Sequence, residues 1–114
     1  AIMSNDVNDP KYGAEDSFEN MKLFAQNNKF TFPYVYDETQ NTGRTYDAVC
    51  TPDFFGFNAK NELQYRGRLE ASQQQLIPNA KKELLDAMMQ IANTGIGPTD
   101  QVPSIGCSIK WKSN

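Results

Sequence analysis

The sequence predicts an α/β domain in which helices pack on a mixed sheet. Two stretches with helical periodicity alternate with short apolar runs typical of strands, and a strand hairpin precedes the second helix. The chain has 114 residues, which suits one domain with a single core of two layers. With 39% hydrophobic and 22% charged residues, the composition is that of a globular chain with a packed core.

The first part of the chain predicts a strand, a loop and a helix. Residues 1–3 are apolar and lead into a polar loop, as at the end of a buried strand. Asp16 is placed to cap the next helix, and Glu19 would complete a capping box. We predict a helix over 17–27, because several apolar side chains fall on or beside one face at helical spacing. They are Phe18, Met21, Phe24 and Ala25.

Two short elements are predicted next. Residues 32–36 form an apolar run, and the early Pro33 suits the first residue of an edge strand. Residues 38–46 are polar and predict a short helix, although Gly43 costs about 1 kcal/mol there relative to alanine.

The second half predicts a hairpin followed by a long helix. Strand character over 53–57 and 63–66, with a short polar connection between them, predicts an antiparallel pair. An amphipathic helix follows Pro78 and Asn79 and extends to about residue 93, and Gly95 ends it.

The chain after this helix predicts a tail with one strand. Alternation over 107–111 places Cys107, Ile109 and Trp111 on one side of that strand. We therefore divide the chain into a domain over 1–95 and a tail over 96–114 that packs on it.

Charge and composition exclude several classes of function. The net charge of −3 and the pI of about 4.8 argue against nucleic acid as a partner, because phosphate backbones attract basic surfaces. No apolar run approaches the roughly 20 residues of a membrane helix, so no membrane association is expected. The chain has no histidine, which removes histidine-based triads and the common metal sites. We expect no metal or cofactor and, with two free thiols, a cytoplasmic location.

Five segments together resemble a known family. They are DSFENM at 16–21, FPYVYDETQ at 32–40, CTPDFF at 50–55, YRGRLE at 65–70 and GCSIKWK at 106–112. In this order, they resemble the thioredoxin-fold proteins of the alkyl hydroperoxide reductase/thiol-specific antioxidant superfamily, and most closely its peroxiredoxin-like subgroup. The resemblance spans the whole chain and implies a thioredoxin-like mixed sheet with flanking helices.

The resemblance assigns a role to Thr51 and Pro52. It implies that they are the cis-proline dipeptide of the thioredoxin fold, whose first residue offers main-chain groups to an extended substrate. The family's reactive cysteines precede this part of the fold, in a loop and at the start of a helix where the dipole stabilises a thiolate. Nothing in the 114 residues matches that motif. The resemblance thus implies the C-terminal portion of a longer protein, without the central strand and the redox-loop helix.

A missing central strand would leave two sheet edges to be covered. In the thioredoxin arrangement, that strand lies between the strand at 2–3 and the strand at 53–57. Buried unpaired backbone groups cost about 1–3 kcal/mol each, so the gap must be filled. The candidates are a further fragment, the tail strand over 107–111, or a second copy of the chain, which we rank first. A homodimer that completes the sheet is the corresponding partner hypothesis.

The two cysteines each have two interpretations. Cys50 is either a redox-responsive thiol beside the cis-proline or a small buried apolar residue, and we favour the second. Cys107 is either a resolving thiol or part of an anchoring tail, and we favour the anchor. A disulfide between them requires Cα atoms within roughly 7 Å, and we favour free thiols instead.

Two charged groups have weaker functional interpretations. Arg66 and Arg68 would suit an anionic substrate, but strand alternation favours one shared solvated face. Asp37 and Glu38 would suit a cation only with more oxygen ligands than the sequence offers at a recognisable spacing.

Two hypotheses for function follow. The first is a thiol–disulfide or peroxide oxidoreductase, in which this chain supplies the cis-proline half and has no catalytic residue of its own, so that it is inactive alone. The substrate would be a thiol or disulfide protein or a peroxide. The second hypothesis is a non-catalytic thioredoxin-like module that binds extended peptides by edge pairing near Thr51.

Overall fold

The computed structural model describes residues 1–72 and 75–113. Helices and short strands are mixed along the chain, which confirms the predicted α/β class. The chain divides into two compact units, one formed by Ala1–Ala48 with the chain from Ile109 onward, the other by Val49–Ser108. The boundary that we predicted at residue 95 falls inside the second unit.

The first unit contains two short parallel strands and two helices. Its strands are β1 (Ile2–Met3) and β2 (Val35–Tyr36), and its helices are α1 (Phe18–Asn27) and α2 (Asn41–Thr45). A 3-10 turn over Gly13–Asp16 precedes α1. In the parallel pair, Ile2 lies opposite Val35 and Met3 lies opposite Tyr36.

Two details of this unit differ from the prediction. The cap of α1 is Ser17 rather than Asp16, because the Ser17 hydroxyl accepts a hydrogen bond from the Asn20 N–H at 3.2 Å. Asp16 instead accepts a hydrogen bond from the Asn5 side chain at 2.9 Å, and the predicted capping box with Glu19 is wrong. The strand predicted over 32–36 is shorter, with bounds Val35–Tyr36. The aromatic rings before it pack on one another instead: Phe24, Phe30, Phe32 and Tyr34.

A fully buried amide holds three segments of the first unit together. The Gln40 side chain is 2% exposed and donates to the carbonyls of Ser4 and Lys110, at 2.7 and 2.9 Å. Its oxygen accepts a hydrogen bond from the Lys112 N–H at 2.9 Å. Gln40 therefore ties the loop after β1 and the end of the chain to the start of α2.

The second unit contains a hairpin covered by a helix, as predicted. Strands β4 (Phe54–Phe57) and β5 (Leu63–Gly67) pair antiparallel, and α3 (Glu83–Thr94) packs on them. Two further strands, β3 (Cys50–Thr51) and β6 (Cys107–Ser108), pair with each other. The core of this unit consists of Tyr65, Ala87 and Ile91, with Phe54, Leu84 and Met88 packed against it.

The helix α3 begins later than the sequence predicts. Asn79 has a φ of 56°, a left-handed conformation that does not continue a helix. The Ala71 N–H donates to the Lys81 carbonyl at 2.8 Å, so the chain before α3 pairs with the chain after β5. The predicted end is confirmed, because Gly95 has a φ of 76° and donates its N–H to Ile91 at 2.7 Å.

The tail strand is also shorter than predicted. It covers Cys107–Ser108 rather than 107–111, and the side chains do not share one face. Cys107 is exposed, whereas Ile109 is 6% exposed and belongs to the core of the first unit. Trp111 lies under the Arg44 guanidinium, whose central carbon is 4.4 Å from the ring centroid.

Candidate functional site

The candidate site is the pair of strands β3 and β6. Thr51 lies opposite Cys107 and Cys50 lies opposite Ser108 in an antiparallel register. The peptide bond between Thr51 and Pro52 is cis, as the family resemblance implies. The sequence analysis missed β3, although Val49, Cys50 and Thr51 before a proline are a weak strand signal. The tail strand that we considered as a filler for the sheet pairs with β3.

A glycine permits the close approach of these two strands. A Cβ atom at position 106 would overlap the carbonyl oxygen of Thr51. The Thr51 hydroxyl also lies 3.3 Å from the Cys107 carbonyl, to which it donates. The glycine and cysteine of the GCSIKWK segment therefore place the tail against Thr51.

The two cysteines lie on opposite faces of this strand pair. Successive residues of a strand point to alternate faces, and Cys107 shares a face with Thr51 because the two are opposite each other. Cys50 precedes Thr51 and points the other way. Both thiols are free, so the disulfide alternative is not realised in this structure.

The environments of the two thiols differ. Cys50 is 8% exposed, and burial, with a further contribution from the Asp53 carboxylate, raises the pKa of its thiol. Its Sγ lies 3.9 Å from the Pro52 carbonyl. A buried thiol with a raised pKa is a poor nucleophile, whereas Cys107 is exposed and accessible to a large disulfide.

A shallow cavity of about 260 Å³ lies beside the chain that follows Pro52. Its walls are Val49, Asp53, Arg66, Gly67, Gln101, Pro103 and Ser104. The Asp53 carboxylate is buried and pairs with Arg66 at 3.5 Å. The Arg66 guanidinium also lies over the Phe55 ring, 5.2 Å from its centroid, and is about one-third exposed. The cavity therefore presents a positive group that is already neutralised by a carboxylate.

The prediction that Arg66 and Arg68 share a solvated face is wrong. Arg68 follows β5 and forms an ion pair with Glu83 at the start of α3, with two guanidinium nitrogens on one carboxylate oxygen. Burial alone would raise the pKa of Glu83, but the hydrogen bonds from Arg68 outweigh it and lower that pKa. Each arginine thus has a carboxylate partner that alternation along the strand does not reveal.

Asp37 has a structural role in the first unit. Its carboxylate accepts hydrogen bonds from the Ser4 hydroxyl and the Gly43 N–H, both at 2.8 Å. Burial alone would raise the pKa of Asp37, but these hydrogen bonds and one from Thr42 lower it. The carboxylate therefore caps the start of α2.

The described part of the chain contains neither a cluster of metal-binding side chains nor a helix that could span a membrane. Among residues 1–72 and 75–113, no group of three or more histidine, cysteine, aspartate or glutamate side chains is arranged to hold a metal ion. In the same part of the chain, every helix is too short or too polar to cross a bilayer.

Comparisons with known proteins identify structural neighbours. No protein-family model matches the sequence, and no curated protein matches it. An uncharacterized conserved protein from Geobacillus kaustophilus is 43% identical, with a TM-score of 0.85, over 100% of this chain and 59% of its own. A hypothetical protein from Sinorhizobium meliloti 1021 is 32% identical, with a TM-score of 0.85, over 100% of this chain and 61% of its own. The chain thus spans about three-fifths of each neighbour's length.

Proposed function

We propose that this chain is the substrate-facing part of a thioredoxin-like, peroxiredoxin-like oxidoreductase that acts on protein disulfides or peroxides. The observation that supports this function best is the register of β3 and β6, which pairs Thr51 with Cys107. This register places the exposed thiol of Cys107 next to Thr51 and Pro52, the dipeptide that contacts the substrate according to the family resemblance. Within the chain, Cys107 is therefore the group suited to thiol exchange.

The proposed reaction of Cys107 is a thiol–disulfide exchange. The Cys107 thiolate attacks one sulfur of a substrate disulfide and forms a mixed disulfide as the original sulfur–sulfur bond breaks. The other sulfur leaves as a thiolate and takes up the proton that Cys107 released. An extended substrate would lie along the exposed Thr51, whose main chain orients it for attack.

Cys50 has no part in this exchange. Its thiol is buried on the face opposite Cys107, and its raised pKa keeps it protonated at neutral pH. We propose that the peroxide-reactive cysteine is supplied from outside these 114 residues, as the resemblance implies. The chain alone should therefore show no peroxide turnover and no catalytic reduction of insulin, and robust activity of either kind would contradict this part of the proposal.

The exchange rate of Cys107 tests the proposal directly. We would measure two rate constants for Cys107: one with an extended peptide whose cysteine forms a disulfide with thionitrobenzoate, and one with the small disulfide of two thionitrobenzoate groups. The exchange ratio is the first rate constant divided by the second. The matched control is the double variant Cys107→Ser/Ser113→Cys, which moves the exposed thiol out of the strand pair. We expect the ratio to be at least 10-fold higher for the native chain. Equal ratios would show an exposed thiol without a substrate site, and would overturn the function.

A peptide-binding module without thiol chemistry remains the second candidate. In the described chain β3 pairs only with β6, so an extended peptide has one edge of β3 on which to add. The variant Cys107→Ser tests the module, because a binding site without thiol chemistry should still bind the peptide with a serine in place of the disulfide cysteine. Retained binding together with equal exchange ratios would favour the module.

The same proposal includes a homodimer that completes the sheet. The strand β1 pairs on one side with β2 within its unit, and Ile2 is 48% exposed. Sedimentation velocity over a range of protein concentrations tests for this dimer, and a single monomeric species at high concentration would exclude it.

A further inference from the structure

The helix α3 carries an exposed stripe of apolar side chains. Leu85 and Met89 are 54% and 60% exposed, and Ala92 is also exposed. The spacing of these three residues is i, i+4 and i+7, so they lie along one side of the helix. We refer to Leu85, Met89 and Ala92 as the outer stripe.

The outer stripe lies opposite the face by which α3 packs on the hairpin. Ala87 and Ile91 are the most buried residues of the helix, at 1% and 4% exposed, and both belong to the core of the second unit. Met89 is two residues from each of them, and at about 100° per residue it lies about 180° from their midpoint. The outer stripe therefore has no part in the core and is open to a partner.

The charges at the two ends of α3 indicate which partner is suitable. Lys81 and Lys82 are exposed at the N-terminal end, where the helix dipole is positive and opposes them, although Glu83 and Asp86 in the first turn suit it. The last turn contains no basic residue, and its carbonyls without intrahelical donors form the negative end of the dipole. The two lysines would therefore be stabilised beside the C-terminal end of another helix of this kind.

A second copy of α3 in antiparallel orientation is complementary to both the stripe and the charges. The two outer stripes pack on each other with Met89 near the twofold axis, and the small Ala92 leaves room for Leu85 of the second copy. Lys81 and Lys82 of each copy then lie beside the C-terminal carbonyls of the other. Each of these contacts forms twice, as in any twofold interface, and the spacing of four and three residues is that of a coiled-coil seam.

We propose that the outer stripe is a self-association surface, at which two copies of this chain pair through antiparallel α3 helices. The helix has 12 residues and is about 18 Å long. Stable interfaces bury roughly 1,200–2,000 Å² in total, and three side chains from each copy bury much less. The association should therefore be weak, with a dissociation constant on the order of 100 µM. It involves neither β1 nor Cys107, so it is independent of the proposed function.

Sedimentation velocity from about 10 µM to about 1 mM tests the association, and the sedimentation coefficient of the native chain should rise over this range. Met89→Glu places a charge in the centre of the interface and should raise the dissociation constant at least 10-fold. The association should persist in the matched control Ile2→Glu, which adds the same charge at a 48% exposed apolar residue of the first unit. A monomeric native chain, or undiminished association of Met89→Glu, would overturn the proposal. Loss of association in Ile2→Glu alone would assign the contact to β1 instead.

The variant Lys82→Glu separates the contact from the stability of the helix itself. A glutamate at the N-terminal end suits the dipole of its own helix, so the stability of the chain in urea should stay equal or rise. In the dimer the same glutamate lies beside the negative end of the other helix and should weaken association several-fold. The matched control Lys60→Glu reverses an exposed charge in the hairpin connection of the same unit. Equal weakening by both variants would indicate general repulsion and would overturn the antiparallel contact.

Disulfide cross-linking tests the orientation of the two helices. The background is Cys107→Ser, which removes the exposed thiol and leaves the buried Cys50. Met89→Cys should then form a covalent dimer on oxidation, because the two copies of residue 89 face each other. Residue 85 is four residues away, so its two copies lie about 12 Å apart along the helix axis, beyond the limit of roughly 7 Å between Cα atoms. Leu85→Cys should therefore cross-link at least 10-fold more slowly, and equal rates would overturn the antiparallel arrangement.

Discussion

Replacing Gln40 by glycine is expected to lower the free energy of unfolding by about 2–3 kcal/mol, at about 1 kcal/mol for each hydrogen bond whose protein partner is left without a replacement. The three partners are the Ser4 and Lys110 carbonyls and the Lys112 N–H. The Lys110 carbonyl keeps a second donor, the Asp6 N–H at 2.7 Å. The loss should therefore arise mainly from the Ser4 and Lys112 groups.

Glycine is the substitution that isolates these hydrogen bonds. Gln40 has a φ of 64°, and relief of this left-handed conformation favours glycine by about 1 kcal/mol. The greater freedom of glycine in the unfolded chain costs about 0.5–1 kcal/mol. The two backbone effects nearly cancel, so the measured change reflects the lost side chain. In Gln40→Ala, the unfavourable left-handed φ would remain, so the measured change would not reflect the lost hydrogen bonds alone.

Urea unfolding followed by tryptophan fluorescence is a suitable assay. Trp111 is the single tryptophan and belongs to the same unit as Gln40, so its emission reports the relevant transition. The matched control is Lys29→Gly, at an exposed position of the same unit that also has a left-handed φ of 53°. We expect the control to lose less than about 1 kcal/mol. If Gln40→Gly loses no more than Lys29→Gly, the buried amide does not hold these segments together.

Three further predictions concern other parts of the structure. Because the pKa of Asp37 is lower in the folded chain than its unfolded value near 3.8, the ionised carboxylate stabilises the fold at pH values above about 4. The difference in free energy of unfolding between the native chain and Asp37→Asn, measured in urea titrations, should therefore shrink as the pH falls below about 4. Gly106→Ala should separate β6 from β3 and speed alkylation of Cys50 at least 10-fold. Arg68→Ala should cost about 3 kcal/mol in urea because it removes both hydrogen bonds to the buried Glu83 carboxylate, while Arg66→Ala should cost about 1 kcal/mol or less because Arg66 is more exposed, lies 3.5 Å from Asp53 and leaves that carboxylate its bond from the Ser104 hydroxyl. Equal costs for the two arginine variants would contradict this difference between the two carboxylates.

The sequence predicts the hairpin and its helix well because their signals are local. The apolar residues of α3 recur at helical spacing, and the β4–β5 pair follows from two apolar runs with a short connection. The end of α3 follows from one residue, Gly95. The beginning of α3 is less predictable, since the chain before it pairs with residue 71 rather than continuing the helix.

The polar interactions of the interior are not predictable from local patterns. Arg68 and Glu83 are 15 residues apart, and no periodicity in the sequence relates them. The buried position of Gln40 depends on the Lys112 N–H, which is 72 residues further along the chain. The strand β3 has two residues, too few for alternation to be recognised. Such features depend on distant partners, so they become visible only when the chain is folded.

This distinction bears on what the family resemblance means for function. The segment FPYVYDETQ contains Asp37 and Gln40, which cap α2 and tie the chain end to its unit. The segment GCSIKWK contributes Trp111 and the Lys112 N–H to that same unit. Those residues specify architecture, and a chain that kept them would have this fold with or without thiol chemistry. The functional proposal depends instead on Thr51 and Cys107, and the exchange measurements on Cys107 decide it.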